Sequence, residues 1–104
     1  MMENENMKLL IMVVNAGLCD EVMEMAREAG LKGATIVSAR GESVNCERIL
    51  GITVDIEKEM ILSITEEHVA EKVMETVKEK AGFTSDAHAF SFTMPVEKVI
   101  GLHK

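Results

Sequence analysis

Lys8-Leu9-Leu10-Ile11-Met12-Val13-Val14 is a short, continuous apolar run. A run of this length between polar flanks fits a strand buried on both faces. Side chains alternate along a strand, so Leu9, Ile11 and Val13 point one way and Leu10, Met12 and Val14 the other. Both sets are apolar. A sheet built on this strand therefore needs a cover on each face, and the fold follows from what the rest of the chain can supply.

Asn15-Ala16-Gly17 reads as a turn, and a helix is predicted from about Leu18 to Ala29. Leu18, Val22, Met25, Ala26 and Ala29 form its apolar stripe. Asp20 and Glu21 fall in the first turn, where they complement the helix dipole. Gly30 is the expected left-handed stop, and Gly33 permits a tight turn into a second strand, Ala34 to Ala39. Further on, Ile52, Val54 and Ile56 alternate with polar residues and lead into an apolar strand, Met60 to Ile64. Thr65 is the expected N-cap of a second helix reaching about Ala81, with Val69, Ala70, Val73, Met74, Val77 and Ala81 as its stripe and Gly82 as its end. A fourth strand, His88 to Met94, is closed by Pro95, which cannot donate to a ladder. Phe90 and Phe92 read as core residues of that strand, and Val96, Val99, Ile100 and Leu102 are apolar enough to pack as a short edge element.

The order is strand-helix-strand twice over. It predicts an α+β fold, the ferredoxin-like β-α-β-β-α-β sandwich, with one antiparallel sheet and both helices on one face. Two helices cover only one face. The first strand is apolar on both, and Met60 to Ile64 would expose apolar side chains on the open side. An apolar sheet face in water calls for a second copy of the chain, so a homo-oligomer with its sheets facing inward is expected.

A length of 104 residues gives one domain over 1–104, with no room for a second core, and residues 1–6 read as a flexible N-terminal tail. The net charge of −7 argues against a nucleic-acid partner, since such affinity comes mostly from Lys and Arg. No apolar run is long enough to enter and cross a bilayer. The acidic start, MMENENMK, is unlike a secretory signal, which points to the cytoplasm. Cys19 and Cys46 have no zinc-site spacing, and the three histidines, His68, His88 and His103, are scattered, so no metal site is assigned. The nine methionines read as adaptable core filler rather than metal ligands. No nucleophile elbow, HExxH or P-loop is present, so no catalytic residue is assigned and no enzyme is expected.

Between the two units lies Arg40 to Glu59, ARGESVNCERILGITVDIEKE with its preceding alanine. A polar, charge-dense loop of this length inside a small domain is usually functional or disordered. On the residues alone, Arg40-Gly41 reads first as a strand exit with a solvated arginine. Glu57-Lys58-Glu59 reads equally as charges guarding a sheet edge or as a ligand contact through Lys58.

Taken in order, several short matches give the chain a resemblance to PII-type signal-transduction proteins, and more to the divergent PII-like branch than to the nitrogen regulators. They are Leu18, Asp20-Glu21-Val22, Ala29-Gly30-Leu31-Lys32-Gly33-Ala34-Thr35, Arg40-Gly41, Glu57-Lys58-Glu59 and Pro95-Val96-Glu97-Lys98-Val99-Ile100-Gly101-Leu102. The resemblance implies a homotrimer that binds adenine nucleotides in clefts between subunits. It also implies that the loop at 40–59, the family's T-loop, reports the bound state to a protein partner, such as a membrane transporter or an enzyme. Carried over residue by residue, it places Gly33 and Thr35 near the adenine, Gly41 at the phosphate-side base of the loop, and Arg40 and Lys58 as cations near the site. It places Asp86, Ala87, His88 and His103 at phosphate-contacting positions. Ser43, Val44, Asn45, Cys46, Glu47, Arg48, Ile49 and Leu50 then form the partner-binding part of the loop.

The chain departs from the family where phosphate is held. The family's second phosphate loop reads T-G-x-x-G-D-G-K; here Gly82 and Asp86 match, while two glycines are Ser85 and Ala87 and the lysine is His88. The two C-terminal arginines of the family fall at Gly101 and His103. Glycine-rich turns cradle phosphate through unobstructed N–H groups, with Lys or Arg supplying charge. Histidine supplies charge only when protonated, below about pH 6.5. These substitutions argue against ATP and leave AMP, ADP or another small anion as effector. Asn45 stands where the nitrogen regulators use a glutamine for Mg-ATP and 2-oxoglutarate. The chain has no tyrosine, so loop uridylylation is excluded. Two alternatives come with the same architecture: a CutA-like divalent-metal-binding trimer, which would depend on His88, His103 or Cys46, and a structural adaptor whose cleft binds nothing.

Overall fold

The computed structural model describes residues 6–41, 48–49, 52–53, 56–82 and 89–102. Its elements are β1 (Met7–Asn15), α1 (Cys19–Glu28), β2 (Thr35–Gly41), β3 (Arg48–Ile49), β4 (Ile52–Thr53), β5 (Ile56–Glu66), α2 (Glu67–Ala81) and β6 (Phe90–Pro95). The main sheet runs β2-β5-β1-β6, antiparallel throughout, with Leu10 opposite Ser63 and Thr93, and Val37 opposite Met60. This is the expected ferredoxin-like order. Each helix joins two parallel strands that are separated by a strand of the other unit.

Both helices lie on the face that carries Leu10, Met12, Val14 and Ile61, all fully buried. Val22 and Ala26 of α1 and Ala70, Val73, Val77 and Ala81 of α2 close over them into one cluster. The α1 stripe is wider than its periodicity suggested, because Cys19 and Met23 are buried as well. At its end the N–H of Leu31 donates to the Ala26 carbonyl at 2.9 Å and that of Gly30 to the Arg27 carbonyl at 3.0 Å. That pair of bonds, with Gly30 at φ 116°, is the left-handed stop expected from the sequence.

The second helix starts differently from the sequence reading. Thr65 is not its cap: it pairs with Lys8 in the β1–β5 ladder, and Glu66 with Met7. The strand continues to the helix without a break, and the first helical N–H, that of Glu67, donates to the Asn6 carbonyl at 2.7 Å. A main-chain acceptor thus does what a threonine hydroxyl was expected to do. At the far end Gly82 is extended, not left-handed. Glycine is needed there because a Cβ would sit 2.6 Å from the Lys78 carbonyl oxygen.

Three further expectations are corrected. Arg40 and Gly41 belong to β2, and residues 56–59 to β5, so both ends of the expected loop are sheet. Within it, Arg48–Ile49 pairs with Ile52–Thr53 as a separate small ribbon. Phe90 and Phe92 are not core residues: they are 57% and 42% exposed, stacked on each other with ring centroids 6.3 Å apart. They face away from the helices, because their partners Val13 and Ile11 do. The C-terminal tail adds no edge strand among its described residues, and Ile100 stands exposed.

Candidate functional site

The expected ligand residues within the described chain gather at the two ends of β2. At its C-terminal end Ala39 stands opposite Lys58, Arg40 opposite Glu57 and Gly41 opposite Ile56. On the other side of β5, Lys58 is the partner of Asn15. The two side chains share a sheet face, and the Lys58 ammonium donates to the Asn15 amide oxygen at 2.6 Å. The lysine stem crosses Gly41 closely: a Cβ there would lie 2.9 Å from Lys58 Cε and 3.2 Å from Cγ. Gly41 is thus the residue that lets the lysine pass.

The turn after β1 is tied to the same place. The Ala16 N–H donates to the Glu57 carbonyl at 3.0 Å, and the Gly17 N–H reaches a Glu59 carboxylate oxygen at a long 3.4 Å. Residues 15–17 are therefore joined one after another to residues 57–59. A shallow cleft of about 540 Å³ opens there, lined by Ala16, Ser38, Arg40 and Lys58 among others. Its charge is mixed, with Arg40 and Lys58 beside Glu57 and Glu59. Behind it, burial pushes the Cys19 thiol above its ordinary value of 9.0, and the charges of Glu59 and Asp20 push it further. A thiol held neutral in this way is a poor nucleophile.

At the N-terminal end of β2 a groove of about 550 Å³ is lined by Gly33, Thr35, Leu62, Ile64 and Leu102 among others. The Ser63 hydroxyl donates to the Gly33 carbonyl at 2.6 Å and fixes the entry to the strand. A Cβ at Gly33 would meet nothing within 4 Å, and its φ is not positive. Nothing among the described residues of this chain requires glycine there. A further cleft, of about 600 Å³ between α2 and β6, is lined by Met74, Val77, Ala89 and Phe90, and none of the expected ligand residues is among its described lining residues.

β2 is seven residues long, so its two ends lie about 20 Å apart at the rise of an extended strand. The groove and the loop base are separate clefts, with Gly33 and Thr35 in one and Arg40 and Lys58 in the other.

A family model matches this arrangement of elements in sequence as well: residues 7–104 match that of the nitrogen regulatory protein P-II. The chain belongs to that family. P-II proteins are regulatory signalling proteins; they bind adenine nucleotides, are trimeric and interact with partner proteins. Among solved structures, the chain is similar to one from Thermus thermophilus described as that of a PII-like signaling protein. The identity is 24% and the TM-score 0.62, over 85% of this chain and 86% of that one, a likeness that shows the shared fold. No curated protein sequence matches the chain.

Of the positions carried over from P-II proteins, Gly33 and Thr35 lie together in the groove, and Arg40, Gly41 and Lys58 together at the loop base. Asp86, Ala87, His88 and His103 lie outside the described residues, as do Ser43, Val44, Asn45, Cys46, Glu47 and Leu50; Arg48 and Ile49 form β3. Among the described residues no three of His, Cys, Asp and Glu gather as a metal site, and no helix is long and apolar enough to cross a membrane. Two residues at these places were not singled out from the sequence. Asn15 read only as the start of a turn, and Ser63 only as part of an apolar strand. The signal for Asn15 was a polar residue in phase with Leu9, Ile11 and Val13, one step beyond the apolar run.

Proposed function

We propose that the chain is a cytoplasmic PII-like sensor that works as a homotrimer without catalysis of its own. A small anionic effector, an adenine nucleotide such as AMP or ADP rather than ATP, binds between subunits. The observation that carries this reading is the separation of the two residue groups along β2. The groove at Gly33 and Thr35 and the cations at Arg40 and Lys58 form separate clefts, and they serve one small ligand most simply when neighbouring subunits contribute one group each. The uncovered apolar face supplies a reason for the subunits to meet. Gly33 fits the same scheme, since the space beside it is free for a base or a neighbour. Asp86, Ala87, His88 and His103 would complete the phosphate side.

The loop at 40–59 carries the response. Its two ends are pinned in the sheet beside the cation pair, so a ligand contact made there acts on the segment between them. A loop state stabilised by the ligand then changes affinity for a protein partner, through Ser43 to Leu50. The partner class consistent with the family is a transporter or an enzyme under regulation. Isothermal titration with AMP, ADP and ATP, combined with sedimentation at micromolar concentration, tests the reading. A trimer that binds AMP or ADP more tightly than ATP is the expected result; a stable monomer, or a trimer that binds none of the three at millimolar concentration, refutes it.

A further inference from the structure

We infer that Asn15 is the positioning residue of the effector site, holding the Lys58 ammonium over the loop base without neutralising it. The inference rests on the reading of that base as the anion-binding part of the site.

An ammonium has three N–H donors. The bond of 2.6 Å to the Asn15 side-chain oxygen uses one and leaves two for an incoming anion. Because the acceptor is a neutral amide, the bond itself cancels none of the positive charge. The carboxylates next to Lys58 in sequence, Glu57 and Glu59, line the same cleft but belong to the opposite side-chain set of β5, and the Glu59 carboxylate faces the Gly17 N–H.

A lysine on a free four-carbon stem loses rotamer freedom when a ligand pins it, which weakens binding. Here the stem already lies against Gly41 and its head against Asn15. Asn15 is itself fixed, being paired with Lys58 in the ladder, while its carbonyl accepts from the Leu18 N–H at 3.2 Å. The cation is thus ordered before any ligand arrives. The same bond links the ligand site to the turn that opens α1.

Titration calorimetry with ADP and with inorganic pyrophosphate tests this on the full chain. The variants are Asn15→Ala, Asn15→Asp, Lys58→Ala and the double variant Asn15→Asp/Lys58→Ala, each with a melting curve. Asn15→Ala is expected to weaken binding roughly tenfold, the order of one hydrogen bond to a charged group. Asn15→Asp should weaken it further, since a carboxylate on the ammonium cancels its charge. Once Lys58 is replaced, the Asn15 change should have no added effect. Asn15→Asp keeps the side-chain shape, so the test stands even if Asn15→Ala fails to fold. Folded Asn15 variants that bind as well as wild type, or that lose affinity equally with and without Lys58, overturn the inference while leaving the effector site intact. A wild-type chain that binds neither probe overturns both.

Discussion

The two faces of the sheet carry nearly the same kinds of side chain and differ in what lies over them. On one, Leu10, Met12, Val14 and Ile61 are fully buried under α1 and α2. On the other, Leu9, Ile11 and Val13 of β1 stand between Met60, Leu62 and Ile64 of β5 and Phe90, Phe92 and Met94 of β6. Ile11, in the middle, is buried, whereas Phe90, Phe92 and Met94 stay 42–57% exposed. The comparison separates two jobs of apolar surface. The covered face holds the chain folded, and the uncovered face is the one that the proposed association with further copies would use. An aromatic pair stacked at the rim of a sheet is not an arrangement that water favours.

Substitutions on the two faces should therefore fail in different ways. The largest effect is expected for Leu10→Ala, which empties part of the covered core and should cost about 2–5 kcal/mol. Chemical denaturation at fixed protein concentration measures it, and a loss under about 1 kcal/mol, well short of that range, would mean that the helices do not close over this strand as described. Next comes Phe92→Ala. It should leave the far-ultraviolet spectrum of the chain unchanged and weaken subunit association by about 2 kcal/mol, the scale of a buried interface aromatic. Sedimentation over a dilution series reads that directly; unchanged assembly, or a lost fold, would place Phe92 in the wrong job.

The smallest effect concerns Cys19 on the covered face. Its thiol titrates above the ordinary value of 9.0 in the folded chain. Above pH 9.0 the unfolded thiol ionises while the folded one stays neutral, so unfolding gains. The contribution of Cys19 to stability is complete below that pH and declines as pH rises through the folded value. Melting temperatures of wild type and Cys19→Ala should converge as the pH is raised from about 8 toward about 10. A constant gap would show that the thiol ionises equally in both states.

Much of the fold was legible in the residue order. The alternation in Lys8 to Val14, the stripe of α2 and the glycine at 30 each depend on neighbours a few positions away, and each has its expected counterpart in the structure. The family resemblance was legible for the same reason, through short matches in fixed order. The candidate site was legible at its ends. Gly33, Thr35, Arg40, Gly41 and Lys58 fall into two groups on one strand and its neighbour, but the bond that joins Lys58 to Asn15 spans 43 positions of sequence. The start of α2 was misplaced because Thr65 looks like a cap locally, while the ladder with β1 keeps it extended. Phe90 and Phe92 were placed in the core because aromatic residues on a strand must be covered by something. Nothing in the sequence says that the cover is not their own helices.

By itself, then, the sequence determined the order of the four main strands and two helices, that two helices are too few for a sheet apolar on both sides, and which family the chain resembles. These follow from local periodicity and from counting surfaces. The tertiary structure alone decided which apolar set is covered, that Asn6 rather than Thr65 satisfies the first N–H of α2, and that Lys58 reaches Asn15 across Gly41. Those depend on strand register, and register is fixed only when the strands meet.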